Sequence, residues 1–291
     1  MTSLPLGTTV PVLCLSLCSC AVLASESPAV AHWSDTMPEP VSAPVTFESP
    51  LIHTSLRPIY ARHAFPSDSI FGGGSLTIYA LQARLALSER FALIATKDGY
   101  FDLDPDTGSS ETGLGDIAGG FKYAFLQDEQ ANLIATGGLV FETTSGDDEV
   151  FQGNGDGNLR PFLSAGWGLG ECALVGNLGY NHPFDGDEES TSFDYHVAAS
   201  WKATEDLVPL AELNGIHYVS SGNALPFDYE GTDVINLGSS SVAGNDLITG
   251  AVGLRQRVWK RWWFGVAYEV PLSAHDDLFD ERITADLTMV F

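Results

Sequence analysis

From about residue 51 to the last residue, apolar and polar positions alternate with a period of two, in segments of about ten to thirteen residues. A period of two places successive side chains on opposite faces of a β-strand. In 76–87, Tyr79, Leu81, Ala83, Leu85 and Leu87 share one face, with Gln82 and Arg84 on the other. The same reading holds in 114–126, where Ile117, Gly119, Phe121, Tyr123 and Phe125 oppose Asp116, Gly120 and Lys122. In 158–169 the apolar face is Leu159, Pro161, Leu163, Ala165, Trp167 and Leu169, opposite Arg160 and Ser164. In 193–203 it is Phe193, Tyr195, Val197, Ala199 and Trp201, opposite Asp194, His196, Ser200 and Lys202. In 262–272 it is Trp262, Phe264, Val266, Tyr268, Val270 and Leu272, opposite Gly265, Ala267 and Glu269. Further strands fit at 54–63, 91–101, 131–142, 172–182, 207–219 and 247–258, the one at 91–101 with an ambiguous phase. The last ten residues form a twelfth, with Ile283, Ala285, Leu287, Met289 and Phe291 on one face.

No apolar run in this body reaches the ~20 residues a membrane helix needs. Ten-residue alternating segments are instead the pattern of transmembrane strands. In hydrocarbon every backbone N–H and C=O needs an internal partner, so the sheet must close. The expected fold class is therefore all-β: an antiparallel up-and-down transmembrane β-barrel of about 12 strands (range 10–14), in the cell outer membrane with outer-membrane lipid around it. Connections support this, because short ones (88–90, 127–130, 170–171, 204–206, 259–261) alternate with long ones (65–74, 102–113, 144–157, 184–192, 220–246, 273–281). Tyr79, Tyr100, Tyr195, Trp201, Trp259, Trp262 and Trp263 fall near strand ends, as interfacial girdles do. An even count leaves both termini on the short-turn side, the periplasm.

Charge then sorts by side. The chain has 38 Asp and Glu against 13 Lys and Arg, a formal net charge of −25. That balance excludes a nucleic-acid partner, which needs a basic face. Of the acids, 21 lie in the six long loops, and no Lys or Arg does.

Before the barrel, residues 1–24 read as a signal peptide, with Val22-Leu23-Ala24 suiting cleavage after Ala24. Leu17-Cys18-Ser19-Cys20 loosely fits a lipobox, so lipoprotein processing stays open beside it. Cys14, Cys18 and Cys20 would leave with the leader, and Cys172 alone permits no internal disulfide. Residues 25–50, with Pro28, Pro38, Pro40, Pro44 and Pro50, read as a flexible Pro-rich periplasmic lead-in. The barrel is assigned to 51–291.

The segment LGDIAGGFKYAF at 114–125, with LQARLALSERFALIATKDGY at 81–100, resembles the outer-membrane family named for the MetA pathway of phenol degradation. The residues that carry the resemblance are Leu114, Gly115, Asp116, Lys122 and Tyr123, with Arg84, Ala86 and Arg90. It implies a transporter-like barrel, loosely related to fatty-acid and aromatic-hydrocarbon porins. The C-terminal strand ending in Phe291 likewise resembles the signature that the barrel assembly machinery recognises. Ile283, Leu287, Met289 and Phe291 are the candidate assembly signal.

Alternation places Arg84, Lys122, Arg160, Lys202, Arg255 and Arg257 on the inward face, with Glu212 and Glu269 among the inward anions. These eight are the candidate lumen residues for a small-molecule solute, and Arg255 with Arg257 forms the candidate selectivity element. The competing reading is that such charges neutralise one another and fill the lumen. Asp102, Asp104, Asp106 and Glu111 miss the spacing of a calcium loop, since no Glu stands at its twelfth position. Clusters such as Asp185, Asp187, Glu188 and Glu189 suit weak divalent-cation binding at most. No metal or other cofactor is expected. Neither is enzymatic activity: His196 and Ser200 are four residues apart along a strand, and no Gly-x-Ser-x-Gly or His-Glu-x-x-His motif occurs. The expected function is passive, porin-like passage of small solutes, with aromatic or hydrophobic ones as the finer reading. A structural or adhesive surface barrel with a packed lumen is the alternative.

Overall fold

The computed structural model describes residues 37–291. The leader expected at 1–24 and its cysteines lie outside the described residues. Fourteen strand segments form one antiparallel sheet: β1 (Ser55–Ala64), β2 (Gly74–Ala86), β3 (Phe91–Lys97), β4 (Tyr100–Pro105), β5 (Glu111–Leu114), β6 (Ala118–Asp128), β7 (Leu133–Glu142), β8 (Asn158–Leu169), β9 (Cys172–Pro183), β10 (Thr191–Trp201), β11 (Leu207–Ser220), β12 (Asp246–Trp259), β13 (Trp262–Pro271) and β14 (Glu281–Val290). β1 pairs with β14 on one side and β2 on the other, which closes the sheet. β3 and β4 pair in succession with β2, while β6 and β5 pair with β3 and β4. Each of those two couples is one interrupted strand, so the closed barrel has twelve.

The alternation survives folding. β8 is the cleanest case, with Pro161, Leu163, Ala165, Trp167 and Leu169 exposed and Arg160, Phe162 and Ser164 buried. Around the barrel the exposed face carries Leu81, Leu85, Phe121, Phe125, Leu178, Val197, Leu213 and Ile283. A continuous apolar belt of this kind is the surface hydrocarbon solvates and water does not. Trp263 departs from the expected girdle: it faces the lumen side, with the Arg257 guanidinium 4.7 Å from its ring centre.

The ambiguous strand at 91–101 has a local cause. Its register shifts between Ala95 and Lys97, and Gly99 adopts φ 126°, where a side chain would collide with the Tyr79 carbonyl. The inward set therefore changes from Ala92 and Ile94 to Phe101 and Leu103. Beyond that break the expected loop 102–113 is largely the hairpin β4–β5, which extends past the barrel wall.

The long connections bend over the barrel mouth. Phe65, Phe71, Phe101, Leu103, Val150, Val234, Ile235, Leu237 and Leu278 form one buried apolar cluster. The acids of these loops mostly remain in solvent, while their scattered apolar residues pack inward as a cap.

The lead-in corrects the sequence reading most. Residues 37–50 were expected to be a flexible periplasmic tether, yet Val41, Ala43, Phe47, Glu48 and Ser49 are buried inside the barrel. The chain turns at Ala43–Phe47, where the Phe47 N–H bonds the Ala43 carbonyl at 2.9 Å. It then returns to the turn end, where the Phe291 N–H meets the Thr54 carbonyl at 3.0 Å.

Candidate functional site: a plugged lumen

A Pro-rich segment suits this role because proline offers a carbonyl acceptor and no N–H donor. Buried backbone groups need partners, so such a plug demands donors from the wall. Inward arginines, lysine and amides supply them. Arg255 donates to the Glu39 carbonyl at 2.5 Å and the Pro40 carbonyl at 3.0 Å. Arg57 also reaches the Pro40 carbonyl at 3.0 Å, and Asp286 bridges Arg57 and Arg255 at 2.7 and 2.8 Å. Gln82 donates to the Pro44 carbonyl (2.7 Å), Arg160 to that of Thr46 (2.8 Å) and Lys122 to that of Ser49 (2.8 Å). Ser164 and Asn177 share the Glu48 carbonyl at 2.6 and 3.2 Å.

The wall also provides an acceptor. Glu212 takes the Val41 and Ser42 N–H groups at 2.8 and 2.7 Å, together with the Ser42 hydroxyl. The plug's own carboxylate, Glu48, sits between Arg84 at 2.6 Å and Lys122 at 2.7 Å. Both cations are buried, so the ion pairs are desolvated and geometrically tied. Phe47 adds a stacking contact on His196, ring centres 5.0 Å apart.

Of the eight candidate lumen residues, Arg84, Lys122, Arg160, Glu212 and Arg255 thus all grip the plug. Glu269 does not; it accepts from Arg282 (3.0 Å), Asn214 (2.8 Å) and Thr249 (2.5 Å) within the wall. Lys202 pairs with Glu205 at 3.0 Å near the turn end. Arg257 lies near Asp206 and Trp263, its side chain a third exposed, so it does not form one element with fully buried Arg255. Alternation had already placed Arg282 inward, opposite in phase to Ile283, but the sequence reading did not single it out. Arg57 was also missed, although the strand at 54–63 offered it. Glu48 carried no signal, because nothing periodic surrounds it.

Above the plug tip and beneath the loop cap lies a chamber of about 70 Å³. Six carboxylates and two cations line it. Lys97 is committed to Glu142 at 2.5 Å and Arg160 to Asp194. Glu230, in the loop 221–245, receives the Ser190 hydroxyl (2.6 Å) and the Ser239 N–H (2.7 Å). Burial holds its carboxyl above the ordinary range. In the last loop Asp277 accepts from the Tyr218 hydroxyl at 2.6 Å and from the Glu230 N–H, and burial pushes it up to about 8. Among the described residues, no three acidic, His or Cys side chains gather as a metal site.

Residues 55–220 match the profile of the family described as "Putative MetA-pathway of phenol degradation", more than half of the chain. The chain belongs to this family. In three dimensions it is similar to the COG4313 outer membrane channel from Pseudomonas putida F1, with 14% identity over 82% of this chain and 96% of that one, TM-score 0.57. It is also similar to the NanC porin, with 9% identity over 82% of this chain and 98% of that one, TM-score 0.50. At these identities the likeness is one of fold, the closed outer-membrane barrel. No curated protein matches the chain.

Proposed function

We propose that this family member is a porin-like outer-membrane passage for small solutes, closed at rest by the plug below and the loop cap above. The observation that carries the reading is that the stopper is not part of the wall. β1 bonds both β2 and β14, so the sheet is complete without residues 37–54. The plug is held by side chains, which can be exchanged for water, and not by strand pairing. A barrel built only to display loops has no need of a separable filling.

The finer reading is that aromatic or hydrophobic solutes are taken. Phe151, Phe227 and Tyr229 packing on the apolar cap, and the family's description, support it. Candidate lumen contacts for the solute, once the plug has moved, are the same Arg84, Lys122, Arg160, Glu212 and Arg255. Ile283, Leu287 and Met289, which alternate on β14 beside the closing seam, and Phe291 directly after it, support recognition by the barrel assembly machinery. The loop acids are read as loosely screened by divalent cations. No reading of the site calls for catalysis.

Proteoliposome uptake tests the passage. Barrel-dependent flux of phenol-sized solutes, exceeding that of a trisaccharide, is expected. No flux above empty liposomes, from barrel shown folded by a boiled and unboiled gel, would favour the structural surface barrel.

A further inference from the structure

The chamber under the cap holds one charged group with no use in the plug, the wall or the loop packing. Glu189, in the connection 184–190, is 94% buried, and its Oε2 has no hydrogen-bond partner among the described residues. It lines the chamber, close enough to Gly155 that a side chain there would crowd the carboxylate. A buried carboxylate oxygen left bare costs free energy unless something supplies a donor or a charge. Its neighbours cannot. The groups whose charge it feels are Glu142, Lys97, Asp116 and Glu230. Three of these are acids, and Lys97 is bound to Glu142. Asp116 is occupied by the Gly146 and Gly153 N–H groups at 2.8 and 3.0 Å.

We propose that this chamber is a binding site for a compact monovalent cation carrying a primary ammonium group, with Glu189 as its counter-ion. Charge fixes the sign of the ligand: of the six lining carboxylates, Glu142, Asp194 and Asp233 are matched by Lys97, Arg160 and Arg282, which leaves Asp116, Glu189 and Glu230 as an excess of acids. One bare carboxylate fixes the valence, and the lack, among the described residues, of three converging acidic, His or Cys ligands disfavours a multivalent metal. Size follows from the 70 Å³ volume, since a water needs ~10–15 Å³ measured this way, so a few waters or one small amine fill it. An ammonium has three donors, and neutral oxygens of Asn158, Asn181 and Thr232 line the same space to receive those the carboxylate leaves. The site does not depend on solute crossing the barrel.

Burial, reinforced by the nearby acids, pushes the Glu189 carboxyl up to about 8. An ammonium must then displace a proton, so its affinity falls roughly tenfold per pH unit below that value.

The test is equilibrium dialysis of labelled methylammonium against the refolded full chain in detergent at pH 8.5. Wild type and Asp187→Asn, an exposed acid of the same loop, should each bind one equivalent saturably. Glu189→Gln, which keeps the shape and removes the charge, should bind at least tenfold more weakly while still showing the folded gel shift. At pH 7 wild-type binding should release a proton into weak buffer. Absence of saturable binding by folded wild type, or equal binding by Glu189→Gln, would overturn the proposal.

Discussion

Replacing Glu48 by Gln should unseat the plug and leave the barrel standing. The Glu48 carboxylate holds Arg84 through bonds of 2.6 and 3.2 Å and Lys122 at 2.7 Å. Both cations are at most 3% exposed, so neither has water to fall back on while the plug is docked. Removing one partner of a buried ion pair costs about 3–5 kcal/mol, because the other charge is stranded. Residue 48 belongs to no strand, so the loss falls on docked against undocked plug. In the undocked state Arg84 and Lys122 face a wet lumen and recover hydration, which adds to the drive outward. At ~1.4 kcal/mol per factor of ten, the docking equilibrium should shift by about two to three and a half orders of magnitude. Single-channel recording reads this directly as a rise in open fraction, with the heat-induced gel shift of the barrel unchanged. Adding Lys122→Met removes one stranded charge and should recover part of the loss. An open fraction equal to wild type in Glu48→Gln, or a barrel that melts along with the plug, would refute the reasoning.

Three other outcomes follow from the same geometry. The closed cap keeps Asp277 and Glu189 protonated up to about 8, whereas once exposed they ionise in the ordinary carboxylate range. Stability of the cap should therefore fall as pH rises through that window and level off above it. Proteolysis of the loops 221–245 and 272–280 between pH 5 and 9 should follow this curve, and Asp277→Asn should flatten it; an unchanged slope counts against the assignment. Gly179→Ala places a methyl group in the space of the Arg160 guanidinium, which must leave Asp194 and the Thr46 carbonyl. Channel opening should rise as for Glu48→Gln but less, by the ~1–3 kcal/mol of a disrupted buried polar contact, and unaltered gating would contradict the anchoring role of Arg160. Phe291→Ala should lower the amount of folded barrel in cells several-fold without slowing refolding in detergent; equal amounts in cells would remove Phe291 from the assembly signal.

The wall was legible because lipid outside and polar groups inside impose a period of two, which a single sequence displays. Pro161, Leu163 and Ala165 on β8 declare their side without any knowledge of neighbours. Legibility failed where the backbone left that period, at the Ala95–Lys97 bulge and Gly99. It failed again at 37–54, whose conformation is dictated by partners far away in sequence, such as Arg255 for Pro40 and Asn177 for Glu48. Prolines in that segment announce extended chain, and extended chain reads equally as a tether or a plug. Lys122, Arg160 and Arg255 lie buried on the lumen face, yet each has a backbone carbonyl of the plug among its partners, which no residue pattern reveals. Similarly, counting loop acids found the outer surface and overlooked Phe71, Val234 and Leu278, whose packing closes the mouth.

The central claim is that residues 37–53 close an otherwise continuous lumen. Planar-bilayer conductance of the refolded chain, with and without those residues, tests it most directly. Long closed periods in the full chain and frequent, larger discrete steps in the deletion are expected. Identical conductance from two equally folded barrels would contradict the claim.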